Sequence, residues 1–376
     1  MDASSSAYQI MSDSLLDEDL AQRTNLIGGD GDTIQDLYTS LISPLSAYLK
    51  EELKPPLGEV IPTRITRELI KRVYMPLVYG KGLMSSAQDI SAAMYDILKT
   101  NENIIVSAAF YRFWFEKYPQ IKNLMNLINL GGWFAATLNL PVSYHTHYFQ
   151  SIQDYMKTES VIVWVFDRIK KKRRKISLSM PSTTRDRVKT QRSCFANFIH
   201  QKDASIALYI MDHFTNSNLY TVHDNFIVNP TQVSNITHCY TSAFQSLGDP
   251  LSQVNLFLFN NILVHTSFCS ELSSQELTSY LTSLHHIEKP TYTNQSCAES
   301  LLNVLERALT DLVPAGLKRK DHAIWDNKKK MLLESYRKYV RSLDYQGEEY
   351  VGYAFQYHTF LEKLHHKDSR RFALHP

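Results

Sequence analysis

Cysteine is scarce in this chain: four in 376 residues, at positions 194, 239, 269 and 297, with no CxxC or other metal-type spacing. That pattern argues against a zinc ribbon or a disulfide framework and favours reduced thiols in an intracellular compartment. Long apolar runs are missing as well. No stretch approaches the roughly 20 residues that cross a bilayer, and the longest candidate, 104–115, contains Arg112; the chain reads as soluble, with no membrane partner. It also lacks a glycine-rich phosphate loop, a nucleophile elbow and any internal repeat. Its N-terminus has neither the basic-then-apolar order of a secretory signal nor the arginine-rich character of a transit peptide. A protein of this kind that works in an organelle is expected to be made there.

What is present is a folding composition: 44% hydrophobic, 11% aromatic and 21% charged. Apolar content of that order offsets the entropy of ordering a chain, which excludes wholesale disorder. The net charge of +2 conceals a strong asymmetry. Between Arg168 and Arg192 there are eleven basic residues against Asp186 alone, a local balance of +10 that leaves −8 for the rest. Such a concentration of positive potential points to a polyanion, with a solvated basic loop as the plainer reading.

Periodicity predicts a mostly helical α+β protein. Residues 5–25 and 33–53 carry helical spacing, and Lys54-Pro55-Pro56-Leu57-Gly58 breaks it. Residues 63–79 predict a helix closed by Gly80, with Pro76 expected to kink or break it because proline lacks the donor that would reach Arg72. Further helix is expected to about residue 130, where Gly131-Gly132 interrupts, and residues 138–166 turn strand-like. Residues 204–214 return to helix. Residues 219–228 predict a hairpin with its turn near Asp224-Asn225. The remainder is mainly helical and chemically uninformative.

Two places carry candidate chemistry. On a continuous helix Arg67 and Lys71 lie one turn apart and Tyr79 falls about 120° around the axis, so two cations and a phenol share one side, a pattern suited to a triphosphate. The other reading is an ordinary basic face. Asp224, beside His223 at the hairpin tip, needs a second acid before it can hold a catalytic metal, and spacing alone selects none. By its position alone, Asp2 reads as a helix cap.

Four segments in order resemble the bacteriophage-type single-subunit RNA polymerases, which also serve mitochondria and mitochondrial plasmids. Residues 67–80 fit that family's R-x3-K-R-x2-M-x3-YG fingers helix through Arg67, Lys71, Arg72, Met75, Tyr79 and Gly80. Residues 2–9 are similar to its first palm motif, 197–205 to its NF-[VI]-H-x2-D-[GAS]-S segment, and 222–226 to its HDSF hairpin. The resemblance implies a right-hand polymerase, reduced to palm and fingers without thumb or N-terminal domain. It further implies transcription by nucleotidyl transfer, with Asp2 and Asp224 holding two Mg2+ ions. Arg67 and Lys71 would grip the nucleoside triphosphate, Tyr79 would sense the ribose 2′-hydroxyl with His200 as polar partner, and Gly80 would turn beside the template. DNA template, RNA product and an upstream polymerase half are the implied partners, and a mitochondrion the implied location.

The segments divide accordingly: 1–57 with the first palm motif, 58–195 as fingers including the basic window 168–192, 196–240 as palm with the catalytic hairpin, and 241–376 as a C-terminal helical extension. Ala7, Pro76 and Asn225 depart from the family pattern without removing a ligand. Residues 2–10 hold no glutamate, which separates the chain from the related DNA polymerases that use one to exclude the 2′-hydroxyl. The alternative from another class is a non-catalytic remnant that binds nucleic acid, because the strand that should lead into Asp2 is absent from the sequence.

Overall fold

The computed structural model of the chain describes residues 3–28, 34–99, 101–215, 218–266, 275, 294–314 and 319–365. Short helices open it: α1 (Ser6–Leu15), α2 (Glu18–Arg23), α3 (Leu37–Ser40), α4 (Ile42–Glu52), α5 (Leu57–Val60) and α6 (Arg67–Tyr74). Longer ones follow, α7 (Leu83–Ala93), α8 (Glu102–Lys117) and α9 (Pro119–Thr137). Four strands come next, β1 (Val142–His145), β2 (Gln150–Gln153), β3 (Met156–Asp167) and β4 (Lys172–Arg185), then α10 (Arg187–His213). The hairpin β5 (Tyr220–Val222) and β6 (Asn225–Ile227) precedes α11 (Val233–Ser246), α12 (Pro250–Asn261), α13 (Asn294–Asp311) and α14 (Arg319–Asp344). Strands β7 (Tyr345–Gln346) and β8 (Glu349–Tyr350) and helix α15 (Tyr353–His365) complete the described elements. The result is mostly helical with small sheets. Strands pair only as antiparallel neighbours, β1–β2, β3–β4, β5–β6 and β7–β8, among the described residues. No described helix is long and apolar enough to cross a membrane.

Helix α9 is the hub, packed against α10, α12 and α14. Its glycines do not interrupt it, contrary to the expectation from sequence. They remove side chains where neighbours come close: a Cβ on Gly131 would lie 2.7 Å from Cε1 of Phe257, and one on Gly132 would lie 2.6 Å from Sγ of Cys194. Close helix packing outweighs the entropy cost of glycine in a helix. The helical stretch 5–25 also differs from expectation, divided by Leu16 in the left-handed region at φ 52°, with Asp17 capping α2 by accepting from Leu20 N–H at 3.0 Å.

One buried core holds residues from α1 through α15. Inside it, Asp13 of α1 and Lys202 of α10 are both buried. Burial pushes the Asp13 carboxyl up to about 7 against the pull of Lys202, and brings Lys202 down to about 8 against the charges of Asp13 and Asp249. The C-terminal helices close over this cluster: Tyr353 donates to Oδ1 of Asp249 at 2.6 Å and Tyr339 to the Ser14 carbonyl at 2.9 Å. Cys194 and Cys239 are free and buried; Cys269 and the side chain of Cys297 lie outside the described residues.

Candidate functional site

Strands β5 and β6 pair Val222 with Asn225, so the two turn residues are His223 and Asp224, one position earlier than the sequence suggests. His223 sits at φ 55°, a left-handed conformation that suits such a turn and that non-glycine residues seldom adopt. The half-buried Asp224 is thereby carried at the tip. Its carbonyl accepts a hydrogen bond from the Ala3 N–H at 3.3 Å. Asp2, the residue before, lies outside the described residues.

Each serine after Ala3 is tied to a different element. Ser4 Oγ accepts from Nδ2 of Asn25 at 3.1 Å, and Ser5 Oγ donates to the Tyr38 hydroxyl at 3.0 Å. Ser6 hydrogen-bonds the Asp203 carboxylate. Gln9, buried in α1, donates to the Thr24 carbonyl at 2.7 Å and accepts from the Tyr240 hydroxyl at 2.6 Å. Tyr240 in turn meets the Phe226 ring of β6 edge-on at 6.1 Å. A buried amide satisfied on both ends fixes α1 beneath the hairpin.

Helix α6 is capped by Thr66, whose hydroxyl accepts from Leu69 N–H at 3.3 Å. It stops at Tyr74, five residues short of the stretch expected from sequence, and turns lead from Met75 to Gly80. Pro76 is the cause: it offers no N–H to the Arg72 carbonyl, which accepts from Nζ of Lys81 at 3.1 Å instead. Gly80 adopts φ +82°, and a Cβ there would stand 2.9 Å from the Arg192 carbonyl of α10. The shared helical face expected for Tyr79 is therefore replaced by a turn that brings Tyr79 against α10. Arg67 and Lys71 remain one turn apart on α6. Arg67 is half-exposed, and its Nε donates to Oδ2 of Asp36. Lys71 is exposed and makes no ion pair among the described residues.

The Tyr79 and His200 rings stack, with centroids 4.7 Å apart and planes 12° from parallel. Tyr79 is raised to about 12, first by burial and then by the negative charges of Asp203 and Asp224. Its hydroxyl therefore stays protonated at ordinary pH. Asp203 is raised by burial and by Asp224, against the Ser6 hydrogen bond and the charges of His200 and His223. Tyr38, pushed up to about 12 by burial, feels Asp36, Arg67 and Asp224 together. Tyr79, His200, Asp203 and Asp224 thus share one electrostatic neighbourhood, with Arg67 joined to it through Tyr38.

Asp203 went unassigned in the sequence reading although it lies within the 197–205 segment. The available signal was its spacing: three residues after His200 on a helix, it shares that residue's face. The donor chemistry of these groups would suit a divalent ion. Asp224 and Asp203 are hard oxygen donors whose like charges already oppose each other, the donor type that Mg2+ takes one or two at a time beside substrate phosphates. Among the described residues, no group of three or more His, Cys, Asp or Glu is placed to hold a metal unaided.

The basic window is the far end of a ribbon, the strand returning from it and the first turns of α10, where Arg187, Lys189 and Arg192 lie, rather than a loop. Strands β3 and β4 pair antiparallel from Asp167↔Lys172 to Met156↔Arg185, about 40 Å of two-stranded ribbon at strand rise. Asp167 Oδ1 secures its turn by accepting from Ile169 and Lys170 N–H, both at 3.0 Å. Across the strands Trp164 faces Lys175 and Phe166 faces Arg173; the two rings are 64% and 58% exposed. Exposed aromatics among cations suit a polyanion with flat bases.

Comparison with known proteins gives the family. A family model described as DNA-dependent RNA polymerase matches residues 1–249. A "Probable DNA-directed RNA polymerase" of Zea mays is 33% identical over 297 residues, covering 70% of this chain and 27% of the relative. Proteins of the same name from Agaricus bitorquis and Neurospora crassa are 25% and 26% identical, covering 65% and 60% of this chain and 24% and 29% of theirs. The chain thus spans under a third of the length of the curated relatives it matches. The matched region takes in the hairpin, α6 and α10 together, and the chain belongs to the phage-type single-subunit DNA-dependent RNA polymerase family.

Proposed function

We propose that this chain carries the nucleotidyl-transfer centre of a DNA-directed RNA polymerase, extending RNA on a DNA template from nucleoside triphosphates. Asp2 and Asp224 would hold two Mg2+ ions, which when bound activate the RNA 3′-hydroxyl and stabilise the charge of the departing pyrophosphate. The remaining work falls to side chains of the protein. Arg67 and Lys71 bind the triphosphate, a guanidinium fork beside a point-like ammonium. The protonated Tyr79 hydroxyl donates at the ribose, with the ring held flat by His200. A site that bonds the 2′-hydroxyl leaves polar groups unpaired with a deoxynucleotide. Gly80 allows a turn no other residue adopts without strain, and the β3–β4 ribbon grips nucleic-acid phosphates.

The observation that carries this reading is the hydrogen bond from Ala3 N–H to the Asp224 carbonyl, which lays the start of the first palm motif against the hairpin acid. It supports a shared metal site for Asp2 and Asp224. The test is primer extension on a DNA template, with the chain alone and with an upstream polymerase half supplied in trans. Asp224→Asn is expected to abolish synthesis and retain DNA binding, and unchanged turnover would refute the metal role. Retained DNA binding with no synthesis by the unsubstituted chain in either format would favour a non-catalytic remnant. Within this reading residues 1–57 and 196–240 form palm, 58–195 fingers, and 241–376 a helical extension; the mitochondrion is the proposed location.

A further inference from the structure

Asp36 is pinned more firmly than a surface carboxylate needs to be. Its Oδ1 accepts from the backbone N–H groups of Tyr38 at 3.0 Å and Thr39 at 3.3 Å, capping α3. Its Oδ2 accepts from the Thr39 hydroxyl at 3.0 Å and from Nε of Arg67. Burial alone would raise this carboxyl, and the hydrogen bonds from Arg67 and Thr39 outweigh it, leaving it below its ordinary value. A carboxylate fixed by its own cap cannot follow a moving guanidinium, so the guanidinium is held where the carboxylate is.

The choice of nitrogen matters. Guanidinium is a rigid plane with five N–H donors, and Asp36 engages the Nε edge. The Nη1–Nη2 edge is left as the one that can meet a phosphoryl group with two parallel bonds. Arg67 is 42% exposed in its side chain, so Asp36 does not bury it.

We propose that Asp36 is a positioning residue for Arg67, orienting the Nη1–Nη2 edge, unpaired among the described residues, toward the triphosphate of the incoming nucleotide. This rests on the reading of Arg67 given above. Asp36 touches no substrate; it removes the rotational freedom that a long side chain would otherwise lose on binding, which is the usual gain from preorganisation.

Asp36→Asn separates the two jobs of this residue. Asparagine caps a helix as well as aspartate, because its oxygen still accepts from the first-turn N–H groups. Its amide nitrogen then faces Arg67 Nε, donor against donor. Binding of radiolabelled ATP to the full chain in Mg2+ buffer, read by equilibrium dialysis, is expected to weaken about tenfold, with thermal melting unchanged. Inorganic tripolyphosphate used as competitor should lose affinity by the same factor, since the effect is on phosphate contacts. In an Arg67→Ala background, Asp36→Asn should add nothing. An unchanged affinity, or an equal loss in the Arg67→Ala background, overturns the inference alone. ATP binding that is absent from the unsubstituted chain, or indifferent to Arg67→Ala, overturns the reading of Arg67 and the inference with it.

Discussion

The Ala3 N–H donates to the Asp224 carbonyl at 3.3 Å. This backbone contact closes a loop through nearly the whole family-matched region, and ordering the elements between offsets the entropy of closing it. Three side-chain ties reinforce it: Gln9 to Tyr240, Tyr240 to Phe226, and Ser6 to Asp203. Helix α1 is thereby registered against the hairpin and α10 through Gln9 and Ser6.

Tyr79→Phe removes one hydroxyl and keeps the ring on His200. In primer extension, ribonucleotide preference over deoxynucleotide is expected to fall roughly tenfold, the worth of one hydrogen bond in a dry site. Because Tyr79 is raised to about 12, the hydroxyl remains a donor throughout the working range. The unsubstituted enzyme should therefore show no Tyr79-linked change in discrimination between pH 7 and pH 9; a titration of selectivity in that window contradicts the assignment.

Lys202→Met strands the Asp13 carboxyl in the core. Leaving a buried carboxyl without the compensating charge of Lys202 costs about 1–3 kcal/mol, and the contact of the ammonium with the Phe198 ring at 4.8 Å is lost as well. The pH dependence has a definite sign. Asp13 is raised to about 7 in the folded protein, well above the ordinary carboxylate range, so its contribution is fully present below the unfolded pKa and lost as pH rises through the folded one. Removing Lys202 raises the folded value further. Urea denaturation of Lys202→Met should accordingly show a larger deficit at pH 8 than at pH 5, relative to the unsubstituted chain.

Gly132→Ala places a methyl group against Cys194, where a Cβ would stand 2.6 Å from Sγ and 2.9 Å from Cβ. Overpacking of this kind costs about 1–3 kcal/mol. Gly28→Ala, where nothing lies within 4 Å, should change stability by no more than about 0.5 kcal/mol. Chemical denaturation of both variants checks the difference, and equal midpoints would show that α9 and α10 can separate without cost.

Replacing Lys172, Arg173 and Lys175 with alanine tests the ribbon. DNA binding by the unsubstituted chain should weaken with salt, and each phosphate contact removed should flatten the log–log slope by about 0.9. An unaltered slope would assign those charges to solvent alone.

Much of the site was readable because the chemistry is local. The hairpin carrying Asp224 follows from alternating apolar residues around a polar turn, and the end of α6 from Pro76, whose missing donor is a property of one residue. Tyr79 illustrates the limit. A continuous helix would set its angle to Arg67, whereas the turn from Met75 to Gly80 sets its stacking on His200. Periodicity describes a regular element and carries no information about where a chain goes after that element breaks.

Asp203 and Asp36 mark the same limit from the other side. Asp203 stands in a motif and three residues after His200, and Asp36 has no local mark at all; what each does comes from partners on distant segments, Ser6 and Asp224 for one and Arg67 for the other. Residue order by itself determined the helical character, the basic window, the hairpin and the family, because these depend on neighbours in sequence and on motif spacing. Only the tertiary structure decided that Gly131 and Gly132 pack rather than break, that the basic window divides between a ribbon and the start of α10, and that Ala3 meets Asp224. Those outcomes depend on which distant surfaces come into contact, and burial, close approach and mutual charge act only once they have.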